Sequence, residues 1–381
     1  REPTGGPPRQ DPGGRLPNLH HNLGRQLVWT RGTMDKSAVF VVSDERFFLG
    51  LVGLVNSLRL QGYRGEVVVL DCGLTAGQRS LLYHECEFVP CLWRGASTPA
   101  LYKAFGAWRE SRGVVVVADS DVVVTGGLEE MLEWAAEGWV CAARDPEEDR
   151  WFPEWTELFG LKAPLRRGVY VNSGFVAFSV DRWPALLRRW WEACERIWSH
   201  PWLYAPGVGD GPSAQADQDA LNAVLMSEIP AGALRLLPAE AVPIGDASGL
   251  RVDRGGEYLV STGLGQGVWI LQGNGATKPW EAGGWRRLAG RGYEVALRAV
   301  LAHPRAPVRL PPRMVPWWLH DNPAGRSSFV TLARLNRSRL RHLVGRLVRA
   351  GRSLCRGKRS LATVTAAVSM ELARNVSAMG G

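Results

Sequence analysis

From Ser37 to Leu301, short uninterrupted apolar runs alternate with stretches whose apolar residues recur every three or four positions. The runs read as buried strands and the periodic stretches as amphipathic helices. Strands are predicted at Ala38–Val42, Glu66–Leu70, Phe88–Leu92, Val114–Ala118 and Trp139–Ala143. Helices are predicted between them at Phe47–Leu60, from an N-cap at Thr75 through His84, at Leu101–Arg109 and at Leu128–Glu137. Leu51, Leu54, Val55 and Leu58 share one face of the first helix. Val114–Ala118 holds no polar residue, the pattern of a central parallel strand covered on both faces. The second half is less regular, with strands at Tyr170–Phe178, Leu234–Leu237 and Val268–Leu271 and helices at Trp183–Trp198, Gln215–Ser227 and Trp285–Leu301. This alternation predicts an α/β fold, Rossmann-like, with a mostly parallel central sheet, helices on both faces and ligands at the carboxyl ends of the strands.

On either side of this body the pattern fades. Residues 1–33 are rich in Gly, Pro and Arg without any period and read as a disordered extension; Met34, just before the first strand, is the expected natural start. Residues 34–302 form the α/β domain, residues 303–325, with six Pro, a linker, and residues 326–381 a basic amphipathic helical tail.

Charge sharpens this division. The formal net charge is +9, but residues 1–33 carry +3 and 322–381 carry +11, which leaves 34–321 at −5. An acidic body argues against nucleic-acid binding and puts any polyanion contact in the tail. The 17 Trp outnumber 10 Phe and 7 Tyr. Trp faces make platforms for sugar rings, although most Trp are simply buried. The six Cys (Cys72, Cys86, Cys91, Cys141, Cys194 and Cys355) form no CxxC pair and meet no His cluster. That argues against a zinc site and fits a reducing cytosol better than a disulfide scaffold. No apolar run reaches membrane-spanning length and no signal-peptide core is present, so the expected location is cytoplasmic.

Four segments carry candidate chemistry. Asp119 and Asp121 follow the strand Val114–Ala118; two residues apart on an extended chain, their carboxylates face one spot. Two hard oxygen donors at the carboxyl end of a buried strand suit Mg²⁺ or Mn²⁺, which can bridge a diphosphate; the plain reading is a solvated strand end. In Tyr170–Phe178, Asn172, Ser173 and Gly174 interrupt an apolar strand, which reads either as a β-bulge or as hydrogen-bonding groups for sugar hydroxyls. Asp217, Gln218, Asp219 and Asn222 open a helix, where acids also suit the dipole. Gln272-Gly273-Asn274-Gly275, followed by Lys278, Pro279 and Trp280, is either a phosphate cradle or a plain Gly/Asn turn.

In this order and spacing the four segments resemble retaining GT-A glycosyltransferases of glycosyltransferase family eight, the glycogenin and lipopolysaccharide galactosyltransferase group. The likeness covers about Ala38–Trp280, and the GNGxxK segment is similar to that of lysyl hydroxylase glycosyltransferase domains. The resemblance implies transfer of a hexose from a nucleotide sugar, expected to be a UDP-sugar, with retention of anomeric configuration. It places Ser43 and Asp44 near uracil and ribose, and Lys103 near the donor sugar or phosphate. Asp119 and Asp121 would hold Mn²⁺ (or Mg²⁺), and Asn172, Ser173 and Gly174 would line the donor-sugar pocket. Asp217 would bind sugar hydroxyls, Gln218 would lie beneath the anomeric carbon, and Gly275 and Lys278 would hold the β-phosphate. The family has a metal-ligating His six residues before the Lys of KPW; here that position is Gln272, a weaker ligand for Mn²⁺. Trp151, Phe152 and Trp155, in the stretch Asp149–Leu165, are candidates for stacking on an acceptor. The donor hexose and the acceptor, whether glycan, lipid, natural product or protein, are left open. Two other functions compete: a non-catalytic GT-A-like nucleotide-sugar-binding protein and a sugar-phosphate nucleotidyltransferase. The second wants a Gly-rich basic loop after the first strand, where this chain has Ser43-Asp44-Glu45-Arg46.

Between Asp321 and Glu371 there is no acidic residue but there are eleven Lys and Arg, and Leu340, Leu343, Val344 and Leu347 recur at helical spacing. With Trp317 and Trp318 ahead of it, this segment fits attachment to an anionic membrane surface, which would put the protein peripherally on the inner face of the membrane. The competing reading packs the helix on the body with Arg outward. Vesicles containing anionic lipid are expected to co-sediment the full-length protein and not a chain ending at Asp321; equal binding of the two would remove the membrane role.

Overall fold

The structure, a computed structural model, describes residues 37–91, 99–110, 113–147, 149–199, 211–243, 250–252, 260–262, 265–273, 278–281 and 292–314. The predicted extension 1–33, residues 315–325 of the predicted linker, the tail 326–381 and the first part of the last predicted helix lie outside these residues. In chain order the strands are β1 (Ser37–Ser43), β2 (Glu66–Asp71), β3 (Glu87–Pro90), β4 (Val114–Asp119), β5 (Val122–Val124), β6 (Val140–Arg144), β7 (Val171–Ser179), β8 (Leu234–Leu236), β9 (Arg251–Val252), β10 (Val260–Ser261) and β11 (Ile270–Gln272). The helices are α1 (Phe48–Leu60), α2 (Ala76–Leu82), α3 (Lys103–Glu110), α4 (Leu128–Glu137), α5 (Trp155–Leu158), α6 (Leu186–Ser199), α7 (Asp217–Glu228) and α8 (Gly292–Leu301).

Seven strands form the central sheet in the order β3-β2-β1-β4-β7-β6-β8. β7 runs antiparallel to β4 and β6, and every other pairing in this sheet is parallel. This is the mostly parallel α/β sheet that the alternation predicted. Successive side chains of each strand enter opposite layers. Val39, Val41 and Val116 pack with α1, α2, α4 and α8. Phe40, Val42, Val115 and Val117 pack with α3, α6 and α7 on the other face. Thr75 caps α2 as expected, in a capping box with Gln78.

α1 departs from the expected one-sided helix. Every residue from Phe48 to Leu58 is buried, because β5 and α8 cover the side turned away from the sheet. Gly53 permits this approach: a Cβ there would lie 2.4 Å from Leu297 Cδ1. Residues 303–314, expected in the linker, also pack against α1. Ala306 and Val308 are buried. The amide of the buried Asn56 donates through Nδ2 to Val308 O and accepts at Oδ1 from Val308 N–H, each at 3.0 Å. A buried Asn left without these partners would cost about 1–3 kcal/mol, so the pairing fixes where the chain passes.

α1 also seats itself against the turn after β4. A Cβ on Gly50 would come 2.5 Å from the Ser120 carbonyl oxygen and 2.6 Å from Trp280 Cη2. Backbone cannot yield as a side-chain tip can. Gly50→Ala is therefore expected to destabilise the protein by about 1–3 kcal/mol in denaturant titration. Gly77→Ala, on α2 with no neighbour within 4 Å of the added carbon, is expected to be neutral or to stabilise by up to about 1 kcal/mol. Equal effects of the two would show that the close approach of α1 to Ser120 is not a real constraint.

Candidate active site

β4 ends at Asp119, and the chain does not continue extended through Asp121 as the two-residue spacing suggested. It turns at Ser120 and Asp121, and β5 leaves the central sheet to pair antiparallel with β11, setting Gln272 opposite Val122. The turn brings both carboxylates into one cleft of about 200 Å³ at the carboxyl ends of β1 and β4. Ser43, Asp44, Phe47, Pro99, Lys103, Ser120, Gln272 and Lys278 share its lining with Asp119 and Asp121. Asp44 also caps the turn after β1, its Oδ1 accepting from Phe47 N–H at 3.0 Å.

Two lysines balance the carboxylates. Lys103, at the start of α3, places Nζ 2.5 Å from Asp119 Oδ1 and 2.8 Å from Asp217 Oδ2, with Ser173 Oγ at 3.3 Å. Its side chain is only 4% exposed, so it is a buried cation shared by two anions. Burial works to lower its pKa, but the charges of Asp119 and Asp217 outweigh that and hold it raised. Lys278 reaches Asp121 Oδ2 at 2.6 Å and Gly273 O at 3.1 Å. Burial pushes the Asp121 and Asp217 carboxyls up, against the pull of Lys278 and Lys103 respectively.

Gln272 reaches the cleft from the end of β11. Its Nε2 donates to Asp119 Oδ2 at 2.8 Å, and the next residue's N–H, from Gly273, donates to Asp121 O at 2.8 Å. Gly275 lies outside the described residues. The segment around Lys278 is clasped to the turn after β1: Trp280 Nε1 donates to Arg46 O at 2.6 Å, Arg46 pairs with Glu281, and Trp280 meets the Phe47 ring edge-on. Among the described residues no group of three or more His, Cys, Asp or Glu is placed to hold a metal ion.

The other predicted residues stand behind this cleft. From Ala142 to Arg144 β6 advances two residues while its partner β7 runs from Val176 to Val171, so the Asn172–Phe175 segment bulges out of the ladder. The bulge aims polar groups at α7. Ser173 Oγ donates to Asp217 Oδ2 at 2.8 Å, Ser173 N–H donates to Gln218 Oε1 at 3.0 Å, and Asn172 Oδ1 accepts from Gly174 N–H at 2.8 Å. Asp217 and Gln218 thus face Lys103 and β7 and do not line the cleft itself. Ala216, just before them, has φ 47°, a left-handed backbone uncommon for a residue with a side chain. Asp219 and Asn222 are structural: Asp219 takes two hydrogen bonds from Arg150 and one from Tyr170, and Asn222 pairs with both backbone groups of Val171.

Asp145, after β6, was not legible in the sequence as a site residue. It is buried, and its Oδ2 accepts from Asn172 Nδ2 and Gln218 Nε2, each at 3.1 Å, joining two of the motifs. A lone Asp after a strand carries no local signal for this. The acceptor candidates resolve differently. Trp155 is fully buried in the core, its Nε1 donating to Pro212 O at 2.5 Å, because α5 turns it inward. Trp151 lies under the Arg167 guanidinium, 4.6 Å from its ring centre, and Phe152 under Arg150 at 5.2 Å.

No family profile and no curated protein matches the chain. Solved structures do. The galactosyltransferase LgtC, solved with donor and acceptor sugar analogs, is 16% identical at a TM-score of 0.44, covering 69% of this chain and 95% of that one. The glycosyltransferase GlyE of Streptococcus pneumoniae TIGR4 is 19% identical at 0.44, covering 70% and 60%. The bifunctional glycosyltransferase WbbM is 16% identical at 0.41, covering 65% and 47%. All three are glycosyltransferases by name; at these values the likeness carries no argument about this chain.

Gly174 makes room for Gln272. A Cβ there would lie 2.3 Å from Gln272 Nε2 and 2.7 Å from its Oε1, and the amide is the movable end of a flexible side chain. Gly174→Ala is expected to keep the fold, to cost about 1–3 kcal/mol and to drive the amide off Asp119. In a Gln272→Ala background the same substitution is expected to cost less, a coupling of about 0.5–3 kcal/mol in a double-mutant cycle. Strict additivity would mean that the two residues do not touch.

Proposed function

We propose that the chain is a glycosyltransferase that moves a hexose from a UDP-sugar to an acceptor hydroxyl with retention of anomeric configuration. The observation that carries this reading is the convergence of Asp119, Asp121, Gln272, Lys103 and Lys278 on one cleft beside the carboxyl ends of parallel strands. A nucleoside diphosphate with a divalent cation asks for this mixture: carboxylates for the cation, ammonium groups for the phosphate oxygens. The donor set fits Mn²⁺ or Mg²⁺, since two carboxylates and an amide supply hard oxygens. Gln272 turns Nε2 toward Asp119, and a half-turn of the amide brings Oε1 to the same place. Asp119, Asp121 and Gln272 would hold the ion, which when bound neutralises charge developing on the leaving diphosphate.

The chain's own groups supply the rest. Ser43 and Asp44 meet uracil and ribose at the end of β1. Lys278 moves from Asp121 to the β-phosphate, which the motif resemblance also assigns to Gly275, and its ammonium stabilises the leaving group. Asn172, Ser173 and Gly174 shape the donor-sugar side of the pocket. Asp217 would bind sugar hydroxyls and Gln218 would lie beneath the anomeric carbon, while Asp217 also fixes Lys103 and both residues hold the β7 bulge. Because Asp217 is engaged by Lys103 and Ser173 rather than free as a nucleophile, attack from the front face, guided by the leaving phosphate, is favoured over a covalent double displacement. A binding protein without turnover is the second reading, favoured by the hydrogen bond that Gln272 makes to a carboxylate the cation needs.

Release of UDP from a panel of UDP-hexoses, with and without Mn²⁺, tests this. Asp121→Asn is expected to lose turnover on the order of 100-fold or more while keeping its fold, and EDTA to abolish wild-type activity. Full activity in that variant, or indifference to EDTA, would overturn the reading; UDP binding without turnover of any donor or acceptor would favour the binding protein. Gln272→His is expected to tighten Mn²⁺ in calorimetric titration with UDP present, since imidazole favours the transition metal over Mg²⁺.

A further inference from the structure

Cys72 and Cys91 are far apart in the chain but adjacent in the fold. β2 and β3 are parallel, with Asp71 opposite Pro90 as their last pair, and Cys91 N–H donates to Asp71 O at 3.0 Å. The next pair across the sheet is therefore Cys72 and Cys91, and their thiols hydrogen bond to each other. Neighbouring strands lie about 4.8 Å apart, within the roughly 4.4–6.8 Å that a disulfide spans between Cα atoms. Both cysteines are partly exposed, whereas Cys141 and Cys194 are buried. The pair also borders the cleft: Cys72 N–H donates to Ser43 O at 2.9 Å, and the charge of Asp44 acts on the Cys72 thiol.

We propose that Cys72 and Cys91 form a redox-active dithiol that closes to a disulfide by exchange with a small-molecule disulfide, and that closure displaces the Ser43–Asp44 edge of the cleft. The Cys72 thiol is pushed up, first by its hydrogen bond with Cys91 and then by burial; in the proposed exchange Cys91 meets the small-molecule disulfide first. Cys91 yields its proton, and its sulfur bonds to one sulfur of RS–SR, expelling RS⁻, which takes up a proton. Cys72 then loses its proton as its sulfur attacks Cys91 Sγ and expels the second RS⁻, which is protonated in turn. Two thiols are oxidised to one disulfide, and RS–SR is reduced to two RSH. The link to the cleft is the hydrogen bond from Cys72 N–H to Ser43 O, through which the turn of Cys72 that sets the S–S dihedral acts on Ser43.

The test titrates the full-length protein with oxidised glutathione, blocks remaining thiols by alkylation and maps linked peptides by mass spectrometry. A Cys72–Cys91 link is expected, reversed by dithiothreitol. Hydrogen exchange across Ser43–Phe47 is expected to change on oxidation, and UDP affinity to fall at least about five-fold. Both effects are expected to vanish in Cys91→Ser, or in Cys72→Ala where the first variant fails to fold. No such link, a link between another pair of cysteines, or a link that leaves exchange at Ser43–Phe47 unchanged overturns the proposal. The affinity effect rests on the nucleotide reading of the cleft: absence of UDP binding in both redox forms counts against that reading, while linked peptides and exchange decide the dithiol without nucleotide.

Discussion

A buried ammonium organises the centre of this protein. Lys103 leaves water almost completely and lies between the carboxylates of Asp119 and Asp217. An uncompensated charge in such a position costs several kcal/mol, and removing one partner of a buried pair typically costs about 3–5 kcal/mol. The attraction therefore sets strict positions for the elements that carry the three groups: α3 for Lys103, the end of β4 for Asp119 and the first turn of α7 for Asp217. Ser173 joins from β7 through Asp217. Four elements meet at one ion-paired knot between the apolar layers, and the cleft opens on its accessible side, where Asp119 keeps 24% of its side-chain surface.

The rest of the site follows from that knot. Asp119 is oriented by Lys103 on one oxygen and by Gln272 on the other. Asp121, two residues on, is turned into the same cleft and met by Lys278. The unusual backbone at Ala216 is held in place because the next residue is fixed twice, its carboxylate by Lys103 and its carbonyl by Trp190 Nε1 at 2.9 Å. Inversion of β7 within an otherwise parallel sheet serves the same end. It brings the Asn172–Gly174 bulge beside the carboxyl end of β4, with Ala118 opposite Phe175, so that Gly174 can face Gln272. Such a site has its charges largely compensated before any ligand arrives, which limits the desolvation cost of holding acids and lysines together.

Much of this was legible in the sequence. The alternation of apolar runs and periodic stretches determined an α/β body with a mostly parallel sheet, because burial on one or two faces is written locally as a period of residues along the chain. Gln272 and Asp119 were both legible as polar groups at strand ends; that the two side chains meet follows from the pairing of β11 with β5 just past the turn after β4. What the tertiary structure alone decided depends on segments remote in the chain. The all-round burial of α1 needs α8 to arrive on its far side, and the docking of residues 303–314 needs the Asn56 amide. The join at Asp145, the position of Lys103 between two acids, and the pairing of Cys72 with Cys91 across two strand ends each require partners that no local pattern names. The sequence by itself determined which chemical groups the chain owns and which elements carry them; three-dimensional packing decided which of those groups meet, because a contact energy belongs to a pair of residues and only folding brings the pair together.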